Sequence, residues 1–411
     1  MMKKNLSLVF LLAAITTLIT GNDVYAQLSG PDMFGFEFRF NNPGARSNAM
    51  GGAFISLADD ATAAYTNPAG LTVLTKPEFS IEHKTGSYTQ KIYDYPNPPG
   101  ANRTTEYESN SEGISFLSYV VPKGDATFSL YRHQLIDINN EYIWQHGTDP
   151  YYITSNIDGV TYGLGMGLKV IDSLSIGISL NMTEFDYKSV STKHLDPWNP
   201  VDGEDEVRIE GDGSAGHYIA SLLWNPFSEL NIGMVYRKGP EFTANASSYV
   251  FNGTSDRYEL YRRFDSTFKV PDVWGGGISY KFSSLTISAD ALVIEYSDIL
   301  DGYIEIDPTG LEWKMDDETE YHAGLEYVLT VKERPIAIRG GYYYRPYSKM
   351  YVPPPYSQPK FDHLFSDKDT NEDIYSIGFG TMITDLVQMD LAASTGDYSD
   401  EYTLSFIYRF E

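Results

Sequence analysis

The most constraining feature of this chain is a repeated period of two. Leu174, Ile176, Ile178 and Leu180 alternate with Ser175, Gly177, Ser179 and Asn181. Tyr162, Leu164, Met166, Leu168 and Val170 alternate with Gly163, Gly165, Gly167 and Lys169. Near the end, Tyr402, Leu404, Phe406, Tyr408 and Phe410 alternate with Thr403, Ser405, Ile407 and Arg409. Such runs are strands with two unlike faces. The second face is small or polar, which predicts a wet interior. Connections alternate as well. Short turns fall at Pro122-Lys123-Gly124, Ile171-Asp172-Ser173, Asn225-Pro226-Phe227-Ser228, Phe282-Ser283-Ser284, Thr330 to Glu333 and Thr384-Asp385. Long polar connections lie between them, at 93–111, 138–156, 188–214, 239–262, 298–317 and 346–370. Short turns at one end and long loops at the other are the asymmetry of a transmembrane β-barrel.

Strands are predicted at 77–92, 112–121, 124–137, 157–171, 173–187, 215–225, 228–238, 263–282, 284–297, 318–330, 333–345, 371–383, 385–395 and 401–410. The total is fourteen, with both ends on the short-turn side. Residues 261–270 are fused with 272–282 as one tall strand, because a separate strand there would reverse the turn parity. Pro271 has no N–H for a ladder, so it marks an interruption.

Composition agrees once the faces are separated. An apolar fraction of 42% resembles a soluble protein, but a barrel gives the same average by alternation. With no cysteine, the chain has no disulfides, thiolate metal site, cysteine nucleophile or lipoprotein processing. A formal net charge of −26 argues against a nucleic-acid partner. The 33 tyrosines suit headgroup-level girdles. Tyr342, Tyr343, Tyr344 and Tyr347 at one strand end, and Tyr151 and Tyr152 at another, are assigned there.

Lys3 and Lys4, the uncharged apolar stretch from Leu6 to Ile19, and Val24-Tyr25-Ala26 read as a secretory signal peptide over 1–26. The apolar stretch is too short to span a membrane as a helix. Residues 27–76 precede the first strand, and 77–411 form the barrel. Residues 44–71 are rich in alanine and glycine and do not alternate. They include Gly51-Gly52, then Asp59-Asp60 before an Ala/Thr run, then Asn67-Pro68-Ala69. Small residues allow compact folding inside a lumen. Asp59-Asp60 predicts a short helix start, and Asn67-Pro68 its end.

This segment resembles the FadL/TodX family of outer-membrane hydrophobic-compound transporters, which carries a small-residue hatch and an Asn-Pro-Ala signature before its first strand. Val270-Pro271-Asp272 leading through Gly277-Ile278-Ser279-Tyr280 to Asp290, and Ile338-Arg339-Gly340-Gly341-Tyr342, are also similar to the family. The resemblance implies a 14-stranded antiparallel transmembrane β-barrel with an N-terminal hatch in its lumen. It implies passive passage of hydrophobic small molecules such as long-chain fatty acids, with lateral release through the wall at the third strand. Gly51, Gly52, Asp59, Asp60, Asn67, Pro68 and Ala69 then belong to the hatch and substrate path. The expected setting is a Gram-negative outer membrane, among lipids and lipopolysaccharide, as a monomer without cofactor.

The third strand offers a physical check. Phe128 and Leu130 start an outward apolar face, and Arg132 and Gln134 share its parity. A charge on the lipid face at midplane costs roughly 2–4 kcal/mol. So the register shifts, the residues face a wet opening, or Arg132 already lies at headgroup level. Arg132, His133 and Gln134 are the candidate opening. One departure from the family stands out: the loops near 188–214 and 298–317 are acidic, not apolar, although Trp198 and Trp313 lie in them.

Other chemistry has little support. None of the seven histidines sits in a Ser/His/Asp motif, so no enzyme is expected. Ser129 and His133 share a face of one strand, which a polar lumen explains. Asp367 to Asp373 resembles an EF-hand start but carries Glu372 where glycine is required and Gly378 where the last glutamate belongs, so no metal site is assigned. The alternative to transport is a PorV-type barrel that docks protein partners. A continuous apolar tunnel from the loops to strand three favours uptake; a sealed lumen with a polar hatch favours docking.

Overall fold

The computed structural model describes residues 40, 42–94, 103–146, 149–193, 205–252, 257–300, 314–346, 348, 350–351 and 371–411. The expected signal peptide at 1–26, the expected start of the hatch at 27–39, Trp198, Trp313, Tyr347 and the EF-hand-like stretch 367–370 lie outside them. Fourteen antiparallel strands form one closed barrel. They are β1 (Glu78–Asp94), β2 (Arg103–Lys123), β3 (Ala126–His146), β4 (Asp149–Ile171), β5 (Leu174–Lys193) and β6 (Asp205–Phe227). Next come β7 (Leu230–Arg237, then Glu241–Asn252) and β8 (Arg257–Lys269, then Val273–Phe282). The remainder are β9 (Leu285–Ile294), β10 (Glu318–Val331), β11 (Arg334–Arg345), β12 (Glu372–Met382), β13 (Val387–Thr395) and β14 (Ser399–Arg409). Closure is the pairing of β1 with β14, from Glu78↔Arg409 to Tyr88↔Ser399. Every strand thereby has two neighbours, as the absence of water in lipid demands.

The interruption at Pro271 is there, and β7 breaks beside it at residues 238–240. Asp272 rivets the two breaks together. It accepts from Tyr236 Oη at 2.6 Å, Lys238 Nζ at 2.9 Å and the Gly239 amide at 2.9 Å.

Two expectations change. Most of the stretches 93–111, 138–156, 188–214 and 239–262, read as loops, are strand extensions of β1 to β8. Their pattern inverts above the lipid level. Many outward residues there are polar, such as Thr154 and Asn156, alongside the exposed Ile143 and Tyr152, while Tyr107, Tyr142 and Ile153 pack inward. A reading that expects apolar residues outside takes such a stretch for a loop. The tyrosine assignment also splits. Tyr152 is exposed and Tyr342 and Tyr344 are half-buried, but Tyr343 points inward and stacks on His322 at 5.1 Å.

The outward face carries two aromatic rows. One holds Tyr218, Tyr236, Trp274, Tyr321, Tyr375 and Tyr402; the other, nearer the short turns, holds Tyr119, Phe128, Phe227, Phe282 and Tyr408. Trp274 and Phe282 lie eight residues apart on β8, roughly 26 Å along a strand rising about 3.3 Å per residue. Leu130, Leu164, Met166, Ile278, Leu325, Ile338 and Ile377 occupy the exposed outer surface between them. This is the apolar band flanked by aromatics that a bilayer requires.

Candidate functional site

Residues 42–76 fill one level of the barrel interior. A first short helix, α1 (Ala45–Ala49), touches β11 to β14. A 3-10 turn over Pro68–Val73 touches β2 to β6 on the other side. The segment therefore lies within the barrel, and nearly all of it is buried. Gly51 and Gly52 adopt left-handed φ values of 64° and 77°, where a side chain is strained. A Cβ at Gly51 would also sit 2.6 Å from the Tyr342 amide nitrogen.

The acidic-Ala stretch forms the predicted helix, one turn long: α2 (Ala63–Thr66). Asp60 shapes its entry, accepting from the Thr62 amide at 2.9 Å and hydroxyl at 2.5 Å. Burial pushes the Asp60 carboxyl up from its usual range, against the pull of Arg46. The Asn67-Pro68-Ala69 signature is a three-way brace. Asn67 accepts from the Ala69 amide at 3.1 Å and donates to Ile55 O at 2.8 Å and to Leu222 O of β6 at 3.2 Å. Pro68 starts the 3-10 turn, where its missing N–H is harmless.

Ion pairs fasten this segment to the wall. Arg46 makes a bidentate pair with Glu326 of β10 at 2.8 and 2.9 Å and bonds Asp59. Glu326 also accepts from Arg339 of β11 at 2.7 Å, and Arg339 reaches Asp390 of β13 at 2.7 Å. Asp290 of β9 accepts the Phe54 and Ile55 amides at 2.7 and 2.8 Å. Breaking a buried pair by removing one partner costs about 3–5 kcal/mol. Arg46→Ala should therefore speed amide hydrogen exchange over residues 44–60 while strand amides stay protected; unchanged exchange there would show that the ladder does not hold the segment.

The small inward residues on the strands have a different reason from the one read in the sequence. They are seats for the segment's backbone rather than a wet surface. A Cβ at Gly177 of β5 would meet the Ala69 nitrogen at 2.1 Å, and one at Gly341 of β11 the Gly51 nitrogen at 2.0 Å. Gly167, Gly233 and Gly324 make similarly close approaches to the Pro68, Ile55 and Met50 carbonyls.

Above that level the interior holds an apolar cluster, with charged groups such as Lys269, Arg345, Glu372 and Glu401 buried around it. Ile136, Ile157, Phe185, Ile219, Phe242, Val270 and Ile294 belong to one buried cluster with Tyr65 and Leu71 below. Phe185 and Phe242 stack at 5.2 Å.

The wall itself parts between β2 and β3. Their pairing runs from Lys123↔Ala126 to Phe116↔His133, stops, and has one further pair at Ser109↔Asn140. A bulge lies on each far side of this seam. The β1–β2 register shifts at Glu82/His83, passing over Ser115, and the β3–β4 register shifts at Gln134/Ile136, passing over Leu135. Bulges bend a strand and end its pairing locally, so two on opposite flanks pull β2 and β3 apart. A cavity of about 580 Å³ fills the seam. Lys84, Tyr88, Ser109, Ile136 and Ile138 line it from the inner face; Glu112, Ile114, Arg132, Gln134 and Asp158 line it from the outer face. The cavity thus crosses the wall. Side chains, not backbone, bridge the gap. Ser111 Oγ donates to Asp137 at 2.6 Å, Ser109 Oγ to Asn139 O at 3.1 Å, and Arg132 to Ile114 O.

The three readings of Arg132 are reconciled here. The register does shift, two residues beyond it. Arg132 pairs directly with Tyr162, which is 49% exposed in an aromatic position, so it sits at the rim of the apolar band. Its guanidinium is satisfied by Ile114 O and by Gln134, which in turn donates to Asp158. His133 does not line the cavity. It faces inward and packs on Tyr65 at 4.1 Å, and its strand neighbour Ser129 is buried on the same face. The sequence reading missed Leu135, Ile136, Asp137, Ser111 and Asp158 at the seam. Pairing partners are long-range, and no local pattern announces a bulge.

No family model matches the chain, and no curated protein does. Solved structures match its fold. A FadL homologue from Pseudomonas aeruginosa is 15% identical with a TM-score of 0.63, over 90% of this chain and 98% of that one. The CymD monoaromatic hydrocarbon channel is 14% identical with a TM-score of 0.61, over 91% and 99%. The toluene transporter TbuX of Ralstonia pickettii is 15% identical with a TM-score of 0.59, over 91% and 100%. The chain therefore has the fold of FadL-type channels, as the hatch motif implied.

Proposed function

We propose that this barrel lies in an outer membrane and passes hydrophobic small molecules by diffusion. They enter from the long-loop side, dwell against the apolar cluster above residues 42–76, and leave sideways through the β2–β3 seam. The carrying observation is the cavity lined from both faces of the wall. Residues 27–76 act as a hatch that denies the straight route; the support is that ion pairs and glycine seats fix residues 44–69 to most of the barrel circumference. The apolar cluster that reaches Ile136 at the seam supports uptake over protein docking, and the names of the structural neighbours, hydrocarbon channels and a toluene transporter, support the same class. Nothing in the described residues resembles an energy-coupling device.

Soaking crystals with naphthalene tests this reading. The ring should be found in the seam cavity against Tyr88, Ile136 and Ile138, and Ile136→Asp should empty it, since a buried unpaired carboxylate is costly. Ordered water alone in the wild-type cavity would overturn the proposal.

A further inference from the structure

The seam's charges bear on which hydrophobic molecules pass, a point that rests on the lateral route proposed above. Five charged side chains line the cavity: Lys84, Glu112, Arg132, Asp137 and Asp158. The two cations are engaged differently. Lys84 Nζ lies 3.4 Å from the buried carboxylate of Glu401, beside the equally buried Glu82. Arg132 donates only to neutral groups, Ile114 O and Gln134, so its one positive charge stands against the three negative charges of Glu112, Asp137 and Asp158, and the lining stays net negative. The two aspartates receive hydrogen bonds from neutral donors. Asp137 accepts from Ser111 at 2.6 Å and Asn139 at 3.0 Å, and Asp158 accepts from Gln134. Neutral donors orient a carboxylate without cancelling its charge.

The outer mouth extends this negative field. Asp137 pairs across strands with Asp158, Asp158 with Asp186, and Asp186 with Asp212. Four aspartates thus stand in register on the outer face of four adjacent strands, starting at the seam. Like charges directly opposite each other destabilise a sheet, so the row works against folding. Its position gives it a use: a molecule leaving by the seam passes between β2 and β3, beside Asp137 and near Asp158, in the field of the whole row.

We infer that the seam is a charge filter, passing uncharged hydrophobic molecules and rejecting those that carry a carboxylate. The filter excludes long-chain fatty acids in their ionised form and favours hydrocarbons and alcohols. Ser109, Ser111 and Ser115 add hydroxyls along the path for an alcohol.

The test uses the whole protein in lipopolysaccharide-containing vesicles with 1-decanol and decanoate, which share a chain length. Protein-dependent transfer is the increment over protein-free vesicles. Decanol transfer should exceed decanoate transfer by about tenfold or more at low salt, and the ratio should shrink at high salt as the field is screened. Asp137→Asn with Asp158→Asn should raise decanoate transfer relative to decanol transfer, narrowing the ratio several-fold. Equal transfer of both probes by the wild type, or an unchanged ratio in the double variant, would overturn the filter. Gly113→Trp, which fills the seam, separates this from the route itself. If decanol transfer survives Gly113→Trp, the lateral route fails; if it stops there and the probes are still not distinguished by the wild type, only the filter fails.

Discussion

Deletion of residues 27–71 should turn this barrel into an ion-conducting pore. The strands do not depend on the hatch for their backbone bonds, since each pairs with two neighbours and β1 closes on β14. Their lipid-facing surfaces are untouched. Eight strands leave an interior just filled by side chains, and sixteen leave a water-filled channel. A fourteen-stranded barrel lies near the open end of that scale. The inward charges of Glu326, Arg339, Asp390 and Asp290 would meet water and remain paired or hydrated. Conductance in planar bilayers should rise by an order of magnitude or more, on the scale of a porin-type lumen. An unchanged conductance would show that the hatch is not the plug. Gly341→Leu gives a gentler version. Its side chain would strike the Gly51 backbone, so conductance should appear in bursts as the hatch shifts, with heat-modifiable barrel folding intact.

Much of this architecture is written locally. The alternation at 162–170, 174–180 and 402–410 gives the strands, and short turns such as Asp172-Ser173 give their parity. The broken strand at Pro271 followed from turn parity and the proline's missing N–H, and the partner break at 238–240 did not follow from either. Gly239 is an ordinary loop signal until Asp272 is seen to hold its amide. The inward glycines were legible as small but not as seats, because the atoms they accommodate lie over a hundred residues away. The upper strands were lost for a sharper reason. The apolar face moves from outside to inside once the strand leaves the lipid, so Tyr142 and Ile153 looked like loop residues between polar ones.

The seam was partly legible. Arg132 and Gln134 on an apolar parity signalled a disturbance in β3, and both line the cavity. His133 did not follow, because adjacent strand residues face opposite ways and its side is the packed interior. Ser111 and Asp137 carried no signal. Their meeting depends on bulges in two flanking pairings, which are properties of register rather than composition.

Ser111 and Asp137 also provide the most direct test. The chain has no cysteine, so Ser111→Cys with Asp137→Cys introduces one defined pair, in side chains that touch across the seam. Oxidation ties β2 to β3 where backbone bonds are missing, and reduction releases them. Each single variant controls for the substitutions. With the pair oxidised, transfer of 1-decanol into vesicles should fall to the protein-free background, and dithiothreitol should restore it. Full cross-linking, verified by mass spectrometry, with transfer unchanged would contradict lateral passage through the seam.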